Sequence, residues 1–220
     1  MTEETSGNSQ TNSTAVKALT DYIVRTTDTN EYHTRARSDA EEFGLSYPDE
    51  PTGQLLSTLA ALSVSESNQA GIAATPASGI VGLYLLDGLG PDGHLTCIDP
   101  ESEHQSNAKD VFRAAGYTQF RFLPSRPLEV MGRLAPNSYR IVVGDLSSPD
   151  LPAFIDLAWP LLQPGGILVL LDCLYDGLLT DPSDRDMAAA READEKIRAL
   201  DDALVSRLPL GSGVTLAVKR

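Results

Sequence analysis

Apolar residues are spaced differently before and after about position 64. In the earlier stretch they recur at helical intervals. "TAVKALTDYIVRTT" puts Val16, Leu19, Tyr22, Ile23 and, one turn on, Thr26 on one face. "EYHTRARSDAEEFG" is a polar helical stretch closing at Gly44, a candidate C-cap. "TGQLLSTLAALSVS" carries Leu55, Leu56, Leu59 and Leu62 as an apolar stripe. From about Glu66 the rhythm changes to short unbroken apolar runs at 70–75, 94–99, 119–124, 139–145 and 166–172. Helical patterns fill 79–89, 102–115, 127–134 and 150–162. Strands covered on both faces read as continuous apolar runs, and helices between them imply right-handed parallel crossovers. The pattern therefore predicts an α/β fold built on an open, doubly wound, mostly parallel sheet. The end of the chain breaks the alternation. A long helical pattern, 184–205, places Met187, Ala190, Ala193, Ile197, Leu200 and Leu204 on one face. "SRLPLGSGVTLAVKR" then reads as a hairpin around Gly211-Ser212-Gly213, so the sheet is expected to close with antiparallel strands.

Charge and composition narrow the function classes. The 220 residues carry a net charge of −14, which argues against a nucleic-acid partner, since that affinity rests on Lys and Arg. No apolar run reaches the ~20 residues that span a bilayer, so no membrane partner is expected. Residues 1–13 are polar and acidic with no apolar leader, and read as a disordered tail. Residues 14–220 then form one domain, with N-terminal helices over 14–64 and an α/β core over 70–220. Cys97 and Cys173 lack metal-finger spacing and are expected as reduced thiols of a cytoplasmic protein.

Candidate chemistry sits at strand ends, because open α/β sheets bind ligands beyond the carboxyl ends of their strands. The first strand ends at Ala74-Thr75, the second at Asp99, the fourth at Asp145 and the fifth at Asp172. A single Asp in such a place often only caps the next helix. Three carboxylates at neighbouring strand ends point to a site. Asp99 lies 20 residues after Gly79, where an acid accepts hydrogen bonds from ribose hydroxyls. The loop Thr75-Pro76-Ala77-Ser78-Gly79 has small residues at alternate positions but lacks the G-x-G-x-x-G spacing of a dinucleotide site. That disfavours a nicotinamide-dependent oxidoreductase.

The chain resembles the S-adenosylmethionine-dependent O-methyltransferases related to the catechol and caffeoyl-CoA enzymes, an actinobacterial branch in particular. The resemblance is carried by "GIVGLYLLDGLGPDGHLTCID", "EHQSNAKDVFRAAGY", "YRIVVGDLSSPDLPAFIDLAWPLLQPGGILVLLDCLYDG" and "IRALDDALVSRLPLGSGVTLAVK". It implies a seven-stranded, Rossmann-like class I methyltransferase sheet with N-terminal helices that line the substrate site and help form a homodimer. It implies S-adenosylmethionine as methyl donor and a small hydroxylated acceptor. Carried over by position, Thr75, Ala77, Gly79, Asp99 and Asp145 are the cofactor-binding candidates, and Asp145 is the catalytic one. Asp145 and Asp172 are the candidate ligands of a divalent cation, Mg²⁺ or Ca²⁺. The sequence also departs from the family pattern. Ala73 replaces an acid, Thr75 a glycine, Ser148 a lysine that acts as general base, and Cys173 an asparagine that ligates the metal. A soft thiol is a poor ligand for a hard cation. These departures motivate an alternative, a non-catalytic protein of the same fold that binds cofactor weakly or not at all.

Overall fold

Seven short strands carry the core: β1 (Ala70–Ala74), β2 (His94–Ile98), β3 (Phe120–Leu123), β4 (Tyr139–Gly144), β5 (Leu162–Leu170), β6 (Ala203–Leu208) and β7 (Val214–Lys219). The computed structural model describes residues 4–27, 30–178 and 185–220. The strands form one sheet in the order β3-β2-β1-β4-β5-β7-β6. The first five are parallel, with Ile72 opposite both Thr96 and Val142. β7 runs antiparallel to β5 and to β6, as the terminal hairpin pattern predicted. The order reverses between β1 and β4, and the loops that follow these two strands diverge to leave a crevice.

Helices cover both faces: α1 (Glu4–Thr26), α2 (Glu31–Glu42), α3 (Glu50–Ser63), α4 (Ser78–Leu89), α5 (Ser102–Ala114), α6 (Pro127–Val130), α7 (Leu151–Ala158) and α8 (Arg185–Arg198). Leu56 of α3, Val81 and Leu85 of α4 and Phe112 of α5 fill one apolar layer. Phe154 of α7, Ile197 of α8 and Met131 fill the other. α2 starts on Asn30, whose side chain accepts from the His33 N–H, and α3 starts on Asp49, which does the same for Thr52. Gly44, at φ +65°, lets the chain leave α2 while the Leu45 N–H reaches the Ala40 carbonyl. α3 lies so close on α4 that a Cβ at Gly88 would run into the Ser57 carbonyl.

Two boundaries differ from the sequence pattern. α1 begins at Glu4 and takes in most of the 1–13 stretch assigned to a tail; residues 1–3 lie outside the described residues. The stretch has no proline to stop a helix that the following turns already nucleate. The apolar face of α1 is not covered within the chain, since Val16, Leu19, Tyr22 and Val24 are all exposed. The helix expected to reach 205 ends at Arg198, and Leu204 lies in edge strand β6. Leu200 and Leu204 are four apart, a spacing that fits a helix face and also a strand face. Met187, Ala190, Ala193 and Ile197 do face the core. The start of the expected helix, at 184, lies outside the described residues.

Candidate active site

Thr75 closes β1, and its side chain organises the crevice. Its hydroxyl donates to Asp145 Oδ2 at 3.0 Å and accepts from the Ala77 N–H at 3.1 Å. The Ser78 hydroxyl in turn donates to the Thr75 carbonyl at 2.7 Å. The turn is therefore held by hydroxyls rather than opened by glycines. Asp145 follows β4, and its N–H donates to the carbonyl of Ala74, the last residue of β1, which carries the pairing one residue past β4. Burial pushes the Asp145 carboxyl up to about 6, against the lowering effect of the Thr75 hydroxyl, and the nearby Asp172 charge raises it further.

Asp99 follows β2 and is buried. Its Oδ1 accepts from the Glu101 N–H at 3.2 Å and its Oδ2 lies 2.9 Å from His104 Nδ1. Burial raises its pKa above the ordinary value, and the Glu101 N–H and His104 oppose that. A carboxylate has about four acceptor positions, so capacity remains for a ligand hydroxyl.

Thr75, Asp99 and Asp145 line one cavity of about 430 Å³ above the carboxyl ends of β1, β2 and β4. That volume lies in the ~300–1,000 Å³ range of small-molecule sites. Arg126 and Leu128, from the segment after β3, form its far wall. These two were missed from sequence, although they follow a strand in the same way as Asp99 does. Ala77 and Gly79 do not reach this cavity. They line a pocket of about 20 Å³ under α2, because α4 has already begun at Ser78 and turns Gly79 toward Ala108 of α5. His104, another residue not singled out by spacing, fixes the Asp99 carboxylate.

Asp145 also lines a second cavity, of about 240 Å³, together with Asp172 and residues of the N-terminal region such as Tyr47, Asp49 and Thr52. Asp172, at φ +48°, accepts from the Ser212 N–H at 2.8 Å through Oδ1. Asp145 and Asp172, the two candidate divalent-cation ligands, line this cavity together, but no third ligand joins them among the described residues. Cys173 is buried and its thiol meets the Leu170 and Gly213 carbonyls and the Thr215 hydroxyl instead of the cavity. Among the described residues no three His, Cys, Asp or Glu side chains are grouped to hold a metal. Asp145 and Asp172 alone are a poor match to a cation that wants six or more hard oxygens, and no step below is routed through one. Ser148 is also engaged, donating to Asp176 Oδ2 at 2.6 Å. Ala73 lies inside the apolar core.

The arrangement offers two cavities, of about 430 and 240 Å³, with the Asp145 carboxylate on the wall of each. Comparison with known proteins fits that geometry. A family model described as O-methyltransferase matches residues 52–220. A Mycobacterium marinum protein named as an O-methyltransferase is 38% identical over 189 residues, covering 84% of this chain and 83% of its own. A crystal structure of a Corynebacterium glutamicum protein is 55% identical with a TM-score of 0.89, covering 93% of this chain and 97% of that one. The O-methyltransferase TomG from Streptomyces achromogenes, solved with S-adenosylmethionine, shares the fold at a TM-score of 0.80 and 23% identity, over 92% of this chain and 96% of that one.

Proposed function

The chain belongs to the O-methyltransferase family, and from that premise we propose that it moves a methyl group from S-adenosylmethionine to a hydroxyl of a small acceptor. The observation that carries this reading is the pair of adjoining cavities with Asp145 on both walls. The donor is a substrate whose sulfonium presents an electrophilic methyl group. In this reading Asp99 accepts hydrogen bonds from the donor's ribose hydroxyls, held in place by His104 and the Glu101 N–H. Thr75 and Asp145 form the floor under its sulfonium end. Ala77 and Gly79 act indirectly, by letting α4 approach α2 and α5 closely enough to shape that floor.

Asp145 is the proposed general base. A carboxylate whose pKa stands near 6 can take a proton from an acceptor hydroxyl close to neutral pH, better than one at its ordinary value. The acceptor O–H bond breaks, with its proton going to Asp145. The oxygen forms a bond to the methyl carbon as the S–CH3 bond breaks, and that electron pair stays on sulfur as the thioether. Holding both reactants in line supplies much of the rate. Transfer is favoured over a binding-only role by the family match over 52–220.

Incubation with methyl-labelled donor and a panel of small phenols and alcohols tests this. Label is expected in a methyl ether of at least one acceptor; label that stays in the donor throughout would contradict it. We further place the protein in the cytoplasm, on its two free buried thiols, as a homodimer. Among the described residues no helix is long and apolar enough to cross a membrane. The exposed Val16, Leu19, Tyr22 and Val24 of α1 and Leu62 of α3 are the surface offered for pairing. Light scattering at micromolar concentration is expected to give twice the chain mass.

A further inference from the structure

The amino ends of the strands, opposite the crevice, hold a cavity of different charge. It measures about 380 Å³ and is lined by His94, Thr96, Gln119, Arg121, Ser138 and Tyr139 among others. His94 and Asp99 are five residues apart along β2, so about 16 Å of extended chain separates this cavity from the donor side of the crevice. No Asp or Glu lines it, in a chain of net charge −14 whose two carboxyl-end cavities are both walled by acids. The cavity is open because the crossover from β3 to β4 is short. α6 has only four residues and packs Leu128 and Val130 on the layer that holds Ile72, the neighbour of Thr96. None of its residues lines the cavity.

Arg121 is held there in one orientation. It lies opposite Thr96 in the pairing of β2 with β3. Its Nε donates to the Thr96 hydroxyl at 2.9 Å and its Nη2 to the Tyr139 hydroxyl at 3.1 Å. Thr96 and Tyr139 are both buried, so the two acceptors are fixed points. Nε and Nη2 make up one edge of the planar guanidinium. The other edge, Nη1 with the second N–H of Nη2, has no partner among the described residues. Arginine binds carboxylates and phosphates through such an edge, with two parallel N–H···O bonds. β3 is an edge strand, and an arginine placed there only to discourage strand pairing needs its charge but no fixed orientation. His94 stands two residues before Thr96, on the same side of β2, and offers a ring N–H in either neutral tautomer.

We infer that this cavity is a second small-molecule site, separate from the methyl-transfer crevice, and that it takes a compact anion whose carboxylate or phosphate group pairs with the free edge of Arg121. His94 and the Gln119 amide add N–H donors around that group. A volume of about 380 Å³ suits a single ring with its anionic substituent. A cationic ligand would meet Arg121 with no acid in the lining to offset it, so the sign of the charge is the filter. The inference does not depend on the chemistry proposed for the crevice.

The test titrates the full-length protein calorimetrically with benzoate, phenyl phosphate and the neutral benzyl alcohol, in the presence of S-adenosylhomocysteine. At least one of the two anions is expected to bind with a dissociation constant of about 1 mM or below, about tenfold or more tighter than benzyl alcohol. Which anion binds more tightly tells carboxylate from phosphate recognition. Arg121→Gln, a change on an exposed edge-strand residue, is expected to weaken that anion by about tenfold or more. Arg121→Lys keeps the charge without the planar edge and is expected to recover only part of the loss. Tyr139→Phe releases one hold on the guanidinium and is expected to weaken the anion severalfold. The Arg121 variants locate the site whether or not S-adenosylhomocysteine binds, so failure of the methyl-transfer reading is seen separately. No binding of either anion, an affinity no better than that of benzyl alcohol, or anion binding unchanged in Arg121→Gln would overturn the inference.

Discussion

The two cavities that meet at Asp145 were shaped by different demands. On the larger side, the residues at the ends of β1, β2 and β4 are Thr75, Asp99 and Asp145, each held by short hydrogen bonds to neighbours on the adjoining turn. On the smaller side, Asp172 is held by the Ser212 N–H, and the walls come partly from the N-terminal region, from Tyr47, Asp49 and Thr52. In the proposed reading the larger side takes the methyl donor, which every member of the family shares, and is built from the sheet itself; the smaller side takes the acceptor and is built partly from the segment between α2 and α3. The difference teaches that the site should be judged half by half: the departures at Ser148 and Cys173 fall on residues that line neither cavity, and they leave Thr75, Asp99 and Asp145 standing.

The sharpest way to break this comparison is to remove the group common to both halves. Asp145→Asn is expected to lower methyl transfer by about 10²–10⁴-fold. The same change is expected to stabilise the fold at neutral pH. Burial raises the Asp145 pKa from 3.8 to about 6, so the folded state holds this proton more tightly than the unfolded state. Wild-type stability from this group therefore falls as pH rises between about 4 and 6, and the full penalty applies above 6. Denaturant titration should find Asp145→Asn more stable by about 1–3 kcal/mol at pH 8 and level with wild type below pH 4. A variant less stable than wild type at pH 8 would contradict the assignment of burial as the cause.

A smaller effect separates glycines that the fold needs from the one aligned with the cofactor loop. Gly88→Ala puts a methyl group into the Ser57 carbonyl where α3 crosses α4 and is expected to cost about 1–3 kcal/mol. Gly79→Ala meets Ala108 at 3.7 Å and Ala36 at 3.9 Å, both ordinary contacts, and is expected to change stability by less than about 1 kcal/mol. Thermal unfolding of the two variants side by side checks this. Smaller still is the effect of restoring the family residue at position 173. Cys173→Asn should leave the unfolding temperature insensitive to millimolar Mg²⁺, because position 173 faces Thr215 rather than the cavity. A rise of several degrees with Mg²⁺ would show that the side chain can reach a cation site.

Three residues of the larger cavity's lining, Thr75, Asp99 and Asp145, were legible in the sequence. Parallel strands buried on both faces leave an unbroken apolar run, and the residue that follows each run lands at the ligand-binding edge. Asp99 and Asp145 were found that way. Trp159 is buried and donates from Nε1 to Asp202 Oδ1 at 3.1 Å. β5 begins at Leu162, earlier than its apolar run, because Gln163-Pro164-Gly165-Gly166 reads as a turn although it continues the strand. The acceptor side was less legible for a physical reason. Asp49 and Thr52 are placed by a helix cap, and which cavity they face depends on how α3 packs on α4. No local spacing encodes that packing. His104 was passed over because its partner Asp99 is an ion-pair neighbour only once α5 has formed.

The most direct measurement is calorimetric titration of the wild-type protein and of Asp99→Ala with S-adenosylhomocysteine. The account predicts saturable binding to wild type and a loss of about tenfold or more in the variant, the size expected for removing a charged hydrogen-bond acceptor. Equal affinity in both proteins, or no binding to wild type, would contradict the claim that the donor half of the site is intact.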